Sequence, residues 1–171
     1  DNGIADCELN IAIVLTKQKE YEKACENLIS AAGIYERTGK TSNLASAYIN
    51  LGLTYKKLGN YALAIDFLSR ANEIWELNED EYHNCFYHLN MGEIMLDLKK
   101  NSQAFIHLEK AETLAKKSGS KDLEALAYEY LSDYNAAIKN YKTAYTYLSK
   151  SKQLGDSLLN AETTEKVIQI Q

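Results

Sequence analysis

Apolar side chains recur along this chain at the three-to-four-residue spacing of amphipathic helices. The clearest stretch runs from Ala45 to Trp75, ASAYINLGLTYKKLGNYALAIDFLSRANEIW. Tyr48, Leu51, Gly52 and Tyr55 fall on one helical face, Gly59-Asn60 marks a turn, and Ala64, Leu68 and Ala71 fall on a second face. The pattern predicts two helices folded back on each other. A small residue at Gly52 lets the second helix approach closely and Ala64 answers it. Large side chains at Tyr48, Leu51, Tyr55 and Leu68 then fill the space around that contact.

A shift of 40 residues lays the chain over itself. Ala24, Ala64, Ala104 and Ala144 coincide, as do Leu28, Leu68, Leu108 and Leu148, and Ala31, Ala71, Ala111 and Ser151. On the first helix of each repeat the close-contact position reads Ala12, Gly52, Gly92 and Ser132, preceded by Ile11, Leu51, Met91 and Leu131. Chance periodicity would give helices, but not small residues locked at one offset. The prediction is an all-α stack of four helix-turn-helix repeats, residues 4–40, 41–80, 81–120 and 121–152. Each repeat buries its apolar face on its neighbours. Residues 153–171 would add a last helix that caps the stack or connects it onward.

This order of residue types resembles the tetratricopeptide repeat, W-x2-L-G-x2-Y … A-x3-F … A … P. Tyr48 stands for the Trp, Leu51-Gly52 and Tyr55 match, Ala64 is the first alanine of the second helix, and Leu68 replaces the Phe. The resemblance implies an α-α superhelix, a tetratricopeptide solenoid. The usual unit is about 34 residues long and carries a proline near its end. Here those positions hold Glu36, Glu76, Lys116 and Asp156, and the chain has no proline. With no residue to remove a donor and clash with the preceding turn, the second helix continues, so longer helices are expected. In this the chain resembles the extended repeats of kinesin light chains and of bacterial quorum-peptide receptors. The join GDSLLNAE is similar to the point where tetratricopeptide arrays of bacterial sensor histidine kinases run into their signalling helix. That resemblance implies a sensory or regulatory region of a larger signal-transduction protein, with a periplasmic location favoured and a cytoplasmic one as the alternative. Leu154, Leu158, Ala161 and Ile168 would form the apolar stripe of the tail helix, interrupted by Glu165.

Local signals refine the picture. Gly39 is expected as a left-handed cap, with Thr41 or Ser42 capping the next helix. The turn Lys99-Lys100-Asn101 lacks glycine, and Asn135 stands where Tyr55 stands in the second repeat, which predicts a distortion of the helix there. Three cysteines, Cys7, Cys25 and Cys85, give no disulfide framework and no zinc-type pair; all three are expected as small buried residues.

Net charge is −5, with both signs mixed along most helices, which argues against a nucleic-acid partner or a broad basic membrane face. No stretch is long and apolar enough to span a membrane. His83, His88 and His107 lack metal-ligand spacing; His88 occupies the position of Tyr48 and is expected to be packed. No phosphate loop or nucleophile motif is present, so neither an enzyme active site, a metal site nor a cofactor is expected.

The candidate site is the inner face of the first helices. Just before the Leu-Gly pair stand Asn10, Asn50 and Asn90, then Tyr130. Stacked asparagines would form a ladder, and an amide offers the donor and acceptor that an extended backbone needs. Other tetratricopeptide arrays use asparagine here to hold peptide backbone. Ile13, Ile49, Leu53, Lys56, Lys57, Phe86 and Leu89 surround the ladder, with Glu93, Asp97, Glu129 and Asp133 toward the last two repeats. Leu9 and Ile13 occupy the two key places of the Lys/Asn clamp for C-terminal carboxylates, so that class of ligand is not implied. The expected function is a non-catalytic module binding a peptide or protein segment in a concave groove. A second expectation is an assembly scaffold, a homodimer through the fourth repeat and C-terminal helix. A third is a cytoplasmic quorum-peptide-type receptor.

Overall fold

The computed structural model describes residues 2–170, with side chains described for residues 2–159. Eight helices are found among the described residues: α1 (Asn2–Lys17), α2 (Tyr21–Arg37), α3 (Thr41–Lys57), α4 (Tyr61–Leu77), α5 (Glu81–Asp97), α6 (Asn101–Ser118), α7 (Lys121–Ala137) and α8 (Tyr141–Ile170). They pair as four helix-turn-helix repeats, so the expected all-α tetratricopeptide-like class is borne out. The chain divides into two compact halves, Asp1–Asp80 and Glu81–Gln171. Each half contains two hairpins, with every helix packed on the next.

The helices stop because the backbone turns left-handed at a fixed interval. Lys19, Gly39, Gly59, Glu79, Lys99, Gly119 and Lys139 all have positive φ, between 53° and 73°. At six of these turns the next backbone N–H reaches back to a carbonyl five residues earlier, as from Lys40 N to Tyr35 O (2.9 Å) and Lys100 N to Met95 O (2.8 Å). This bond satisfies a carbonyl that the helix end would leave orphaned. Gly39 therefore is the left-handed cap expected. Side-chain caps come from Asn60 and Ser120, which accept from Leu63 N at 3.2 Å and Leu123 N at 3.4 Å, whereas α3 begins at Thr41 behind Lys40, which provides no side-chain bond. Thr41 and Ser42 thus sit inside the first turn.

The small-residue contacts are as tight as the repeat implies. A Cβ at Gly52 would lie 2.6 Å from Leu68 Cγ, and one at Gly92 only 2.3 Å from Leu108 Cδ2. In the fourth repeat Ser132 takes this place and its hydroxyl donates to Ala144 O at 2.9 Å. Ala24, Ala64 and Ala104 are fully buried and Ala144 nearly so.

Helix α7 is continuous through Asn135, against the expected distortion. The Asn135 side chain is buried and its amide donates to Leu131 O at 2.7 Å, so the polar group is satisfied within its own helix. Cys25 and Cys85 are buried as expected, and Cys85 Sγ donates to Ala111 O at 3.2 Å while burial pushes its thiol up to about 12. Cys7 is instead exposed. Helix α8 carries Leu154 and Leu158, both half-buried; the side chains of Ala161, Glu165 and Ile168 lie outside those described.

Candidate functional site

The two halves treat the inner face of their first helices differently. In the N-terminal half α1 and α3 barely touch, each being held by α2. Asn10 on α1 is exposed, and Ile13 is half-buried. On α3 Ile49, Asn50, Leu53 and Lys56 are half-buried and Lys57 is exposed. The Asn50 amide donates to Ser46 O at 2.7 Å, one turn back in its own helix. That bond uses one N–H and fixes the side chain, leaving its carbonyl oxygen as an acceptor. Leu9 is packed into the core beneath.

Behind this face the large residues of the repeat form an aromatic group. Phe67 of α4 stacks on Tyr55 at 5.7 Å and tilts against Tyr48 at 5.8 Å. The Arg70 guanidinium lies 5.5 Å from the Phe67 ring and is held by Asp66 at 3.1 Å. These contacts fix α3 on α4 and so fix the angle at which Asn50 is presented.

In the C-terminal half α5 and α7 pack on each other. Asn90 is only 5% exposed, and its amide donates to Phe86 O at 2.9 Å. Phe86 is half-buried beside a core cluster of Cys85, Leu89, Ala111, Ala115, Leu123 and Ala127. Leu89 has no exposed surface at all, so it lies under the face and not on it. Tyr130 of α7 donates its hydroxyl to Glu93 Oε2 of α5 at 2.7 Å, which ties the two helices together. Burial, with the Glu93 bond next, holds the Tyr130 phenol well above its usual range. Burial first and the Glu93 charge second raise Asp133 above the usual carboxylate range.

His88 is buried as a packed substitute, with Nδ1 2.9 Å from Nδ1 of His107 on α6. Burial, then the charges of Lys110 and His107, pushes His88 down to about 3, and burial followed by the Lys110 charge also lowers His107. Its Nε2 is buried without a hydrogen-bond partner. Both rings are therefore neutral, and a proton on His88 Nδ1 directed at His107 leaves the orphaned Nε2 as an acceptor, the cheaper atom to strand. This pair was not singled out in the sequence, because nothing in the spacing of two histidines on successive helices fixes their heights.

Residues 4–77 match the tetratricopeptide repeat. The chain carries a helical repeat domain of the tetratricopeptide type. Over 154 residues this repeat domain is 26% identical to response regulator aspartate phosphatase I of Bacillus subtilis (strain 168), covering 88% of the chain and 39% of that protein. The chain thus spans about two fifths of the relative's length. Among solved structures, BtubC (BKLC) from P. vanneervenii superposes with a TM-score of 0.80 at 16% identity, over 92% of this chain and 66% of that one. The apo form of RapI superposes with a TM-score of 0.74 at 14% identity, over 88% and 42%. These two show the fold.

The repeat class is a generally non-catalytic, peptide- and protein-binding one. Among the described residues no group of His, Cys, Asp or Glu is placed to hold a metal ion, and no helix is long and apolar enough to cross a membrane. The periplasmic location favoured above is overturned. It depended on the sensor-kinase likeness of GDSLLNAE, whereas the likeness found is to a response regulator aspartate phosphatase.

Proposed function

We propose that the tetratricopeptide domain is the ligand-receiving part of a bacterial regulator of the quorum-peptide-receptor type, and that it takes an extended peptide along α1 and α3. The observation that carries this reading is the open inner face of the N-terminal half, where the Asn10 and Asn50 amides stand between the partly accessible Ile13, Ile49 and Leu53. The likeness to a protein named for acting on response regulators supports a regulator over a sensor kinase. Asn10 and Asn50 bond the peptide main chain, the three aliphatic residues receive its apolar side chains, and Lys56 and Lys57 favour an acidic group at one end. Asn90, Phe86 and Leu89 are left out of this face, since the α5–α7 contact covers their own helix.

The test is isothermal titration of a panel of short peptides with apolar centres and one acidic terminus. Asn50→Ala should weaken binding by roughly fivefold, the loss of about one hydrogen bond. Asn90→Ala should leave affinity nearly unchanged while lowering stability. Unchanged affinity in Asn50→Ala sinks the amide ladder. The relative's name favours one further reading, contact with the receiver domain of a response regulator. Competition between such a domain and the peptide would place both on the same face.

A further inference from the structure

Each half carries a joint between consecutive first helices, and one of the two is filled by a side chain that the other lacks. At twice the repeat offset Ile13 answers to Glu93, Ile49 to Glu129, Asn50 to Tyr130 and Leu53 to Asp133. Both joints lie inside the chain, and each rests on the second helix between its two members, α2 or α6. In the C-terminal half the filling is Tyr130. Its ring packs against the cluster that holds Cys85, Leu89 and Ala127 and against that of Leu108, Tyr128 and Leu131, while its hydroxyl ends on Glu93. Leu89, in the first of these clusters, has no exposed surface.

In the N-terminal half Leu9 stands in the place of Leu89 and packs in the same direction, toward α2 and α3, yet it stays half-buried. No ring comes from Asn50, whose short amide bonds back to Ser46. The joint is pinned near both ends: Asn43 donates to Asp6 at 3.3 Å, and the Thr16 and Thr54 hydroxyls stand 3.4 Å apart. Between these pins lie Leu9, Ile13, Asn50 and Leu53, all half-buried. The three carboxylates of the filled joint, Glu93, Glu129 and Asp133, are thus three aliphatic side chains in the open one. Such a lining suits a ring without a polar tip.

We infer that the bound peptide supplies the missing ring: a phenylalanine side chain seats on Leu9, Ile13 and Leu53, where Tyr130 seats in the other half. This rests on the peptide-binding reading above and adds the residue that the α1–α3 face selects. Phenylalanine is preferred to tyrosine because Ile13, in the place of Glu93, offers a hydroxyl no acceptor. Asn50 bonds the peptide main chain beside the ring instead of carrying a ring itself.

Peptides of the form Ala-Ala-Xaa-Ala-Asp, titrated calorimetrically, should bind with Phe at the variable place about threefold more tightly than with Tyr and roughly tenfold more tightly than with Ala. The joint itself is tested without a ligand by moving the clasp across. Ile13→Glu and Asn50→Tyr should couple favourably, the double variant melting above the sum of the two single effects, and it should no longer take the Phe peptide. Asn50→Tyr alone, at a half-buried position, should already exclude that peptide, so the test stands even where the double variant folds poorly. Peptides that bind equally with Phe and with Ala overturn the inference and leave the peptide-binding reading intact. Coupling between the two substitutions with no peptide bound by the unaltered chain overturns that reading and the inference with it. Absence of coupling also overturns the inference, because the N-terminal joint then does not fit a ring.

Discussion

Asn50 and Asn90 occupy the same place in their repeats and donate to the same kind of carbonyl, yet one is half-buried and the other closed in. The difference lies in the neighbours. In the C-terminal half α5 and α7 meet directly, clasped by Tyr130 and Glu93, while in the N-terminal half α1 and α3 are held apart on α2. Tyr130 is itself the fourth member of the asparagine series, so one substitution in the ladder closes the face that the other members would leave open. Equivalence along the sequence therefore fixes the position of a side chain but not its access to solvent.

The largest test of this contrast strikes the contact that sets helix separation. Gly92→Val should destabilise by roughly 3 kcal/mol, because its added carbons collide with Leu108 in a filled core. The shift in denaturant midpoint measures it. Next, Tyr130→Phe removes a bond to a carboxylate and should cost about 1.5 kcal/mol. It should also raise amide exchange at the α5–α7 contact and leave α1–α3 unaffected.

The histidine pair gives the C-terminal half a pH dependence of its own. The folded form holds His88 neutral down to about 3, whereas the unfolded chain takes up its proton near 6.5. Stability is therefore fully present above about pH 6.5 and is lost as pH falls toward 3. Between pH 7 and 5.5 the loss from His88 should be about 1 kcal/mol, with His107 acting in the same direction, and His88→Phe combined with His107→Leu should flatten it. The smallest effect concerns the turns. Lys99→Gly should stabilise by roughly 0.5–1 kcal/mol, since a left-handed lysine is strained and a glycine is not. Gly59→Lys, the reverse exchange in the other half, should cost a similar amount. Thermal melts of the two variants check both signs.

Much of the fold was legible because its contacts are made by small residues at one offset. Gly52 against Leu68 and Gly92 against Leu108 are such contacts, and their absence of bulk is visible in the letters. The site was less legible. Ile13, Ile49 and Leu53 lie partly accessible on the first helices, but Leu89 is wholly covered, because an apolar stripe does not state how many helices press on it. Cys7 misled for the converse reason: its counterparts Ala47 and Ala127 are buried against α2 and α6, whereas Cys7 is exposed on α1. Asn135 was expected to disturb α7, yet an amide can bond its own helix, and composition alone does not reveal that choice.

The left-handed residues fall twenty places apart from Lys19 through Lys139 without a slip. Each helical residue advances its side chain by about 100°, so one inserted residue would swing every later contact of that helix off its stripe. Lengthening of such a gene is thus expected to survive in whole blocks of one helix-plus-turn or one hairpin. Single-codon insertions should be tolerated at the turns and eliminated within the helices.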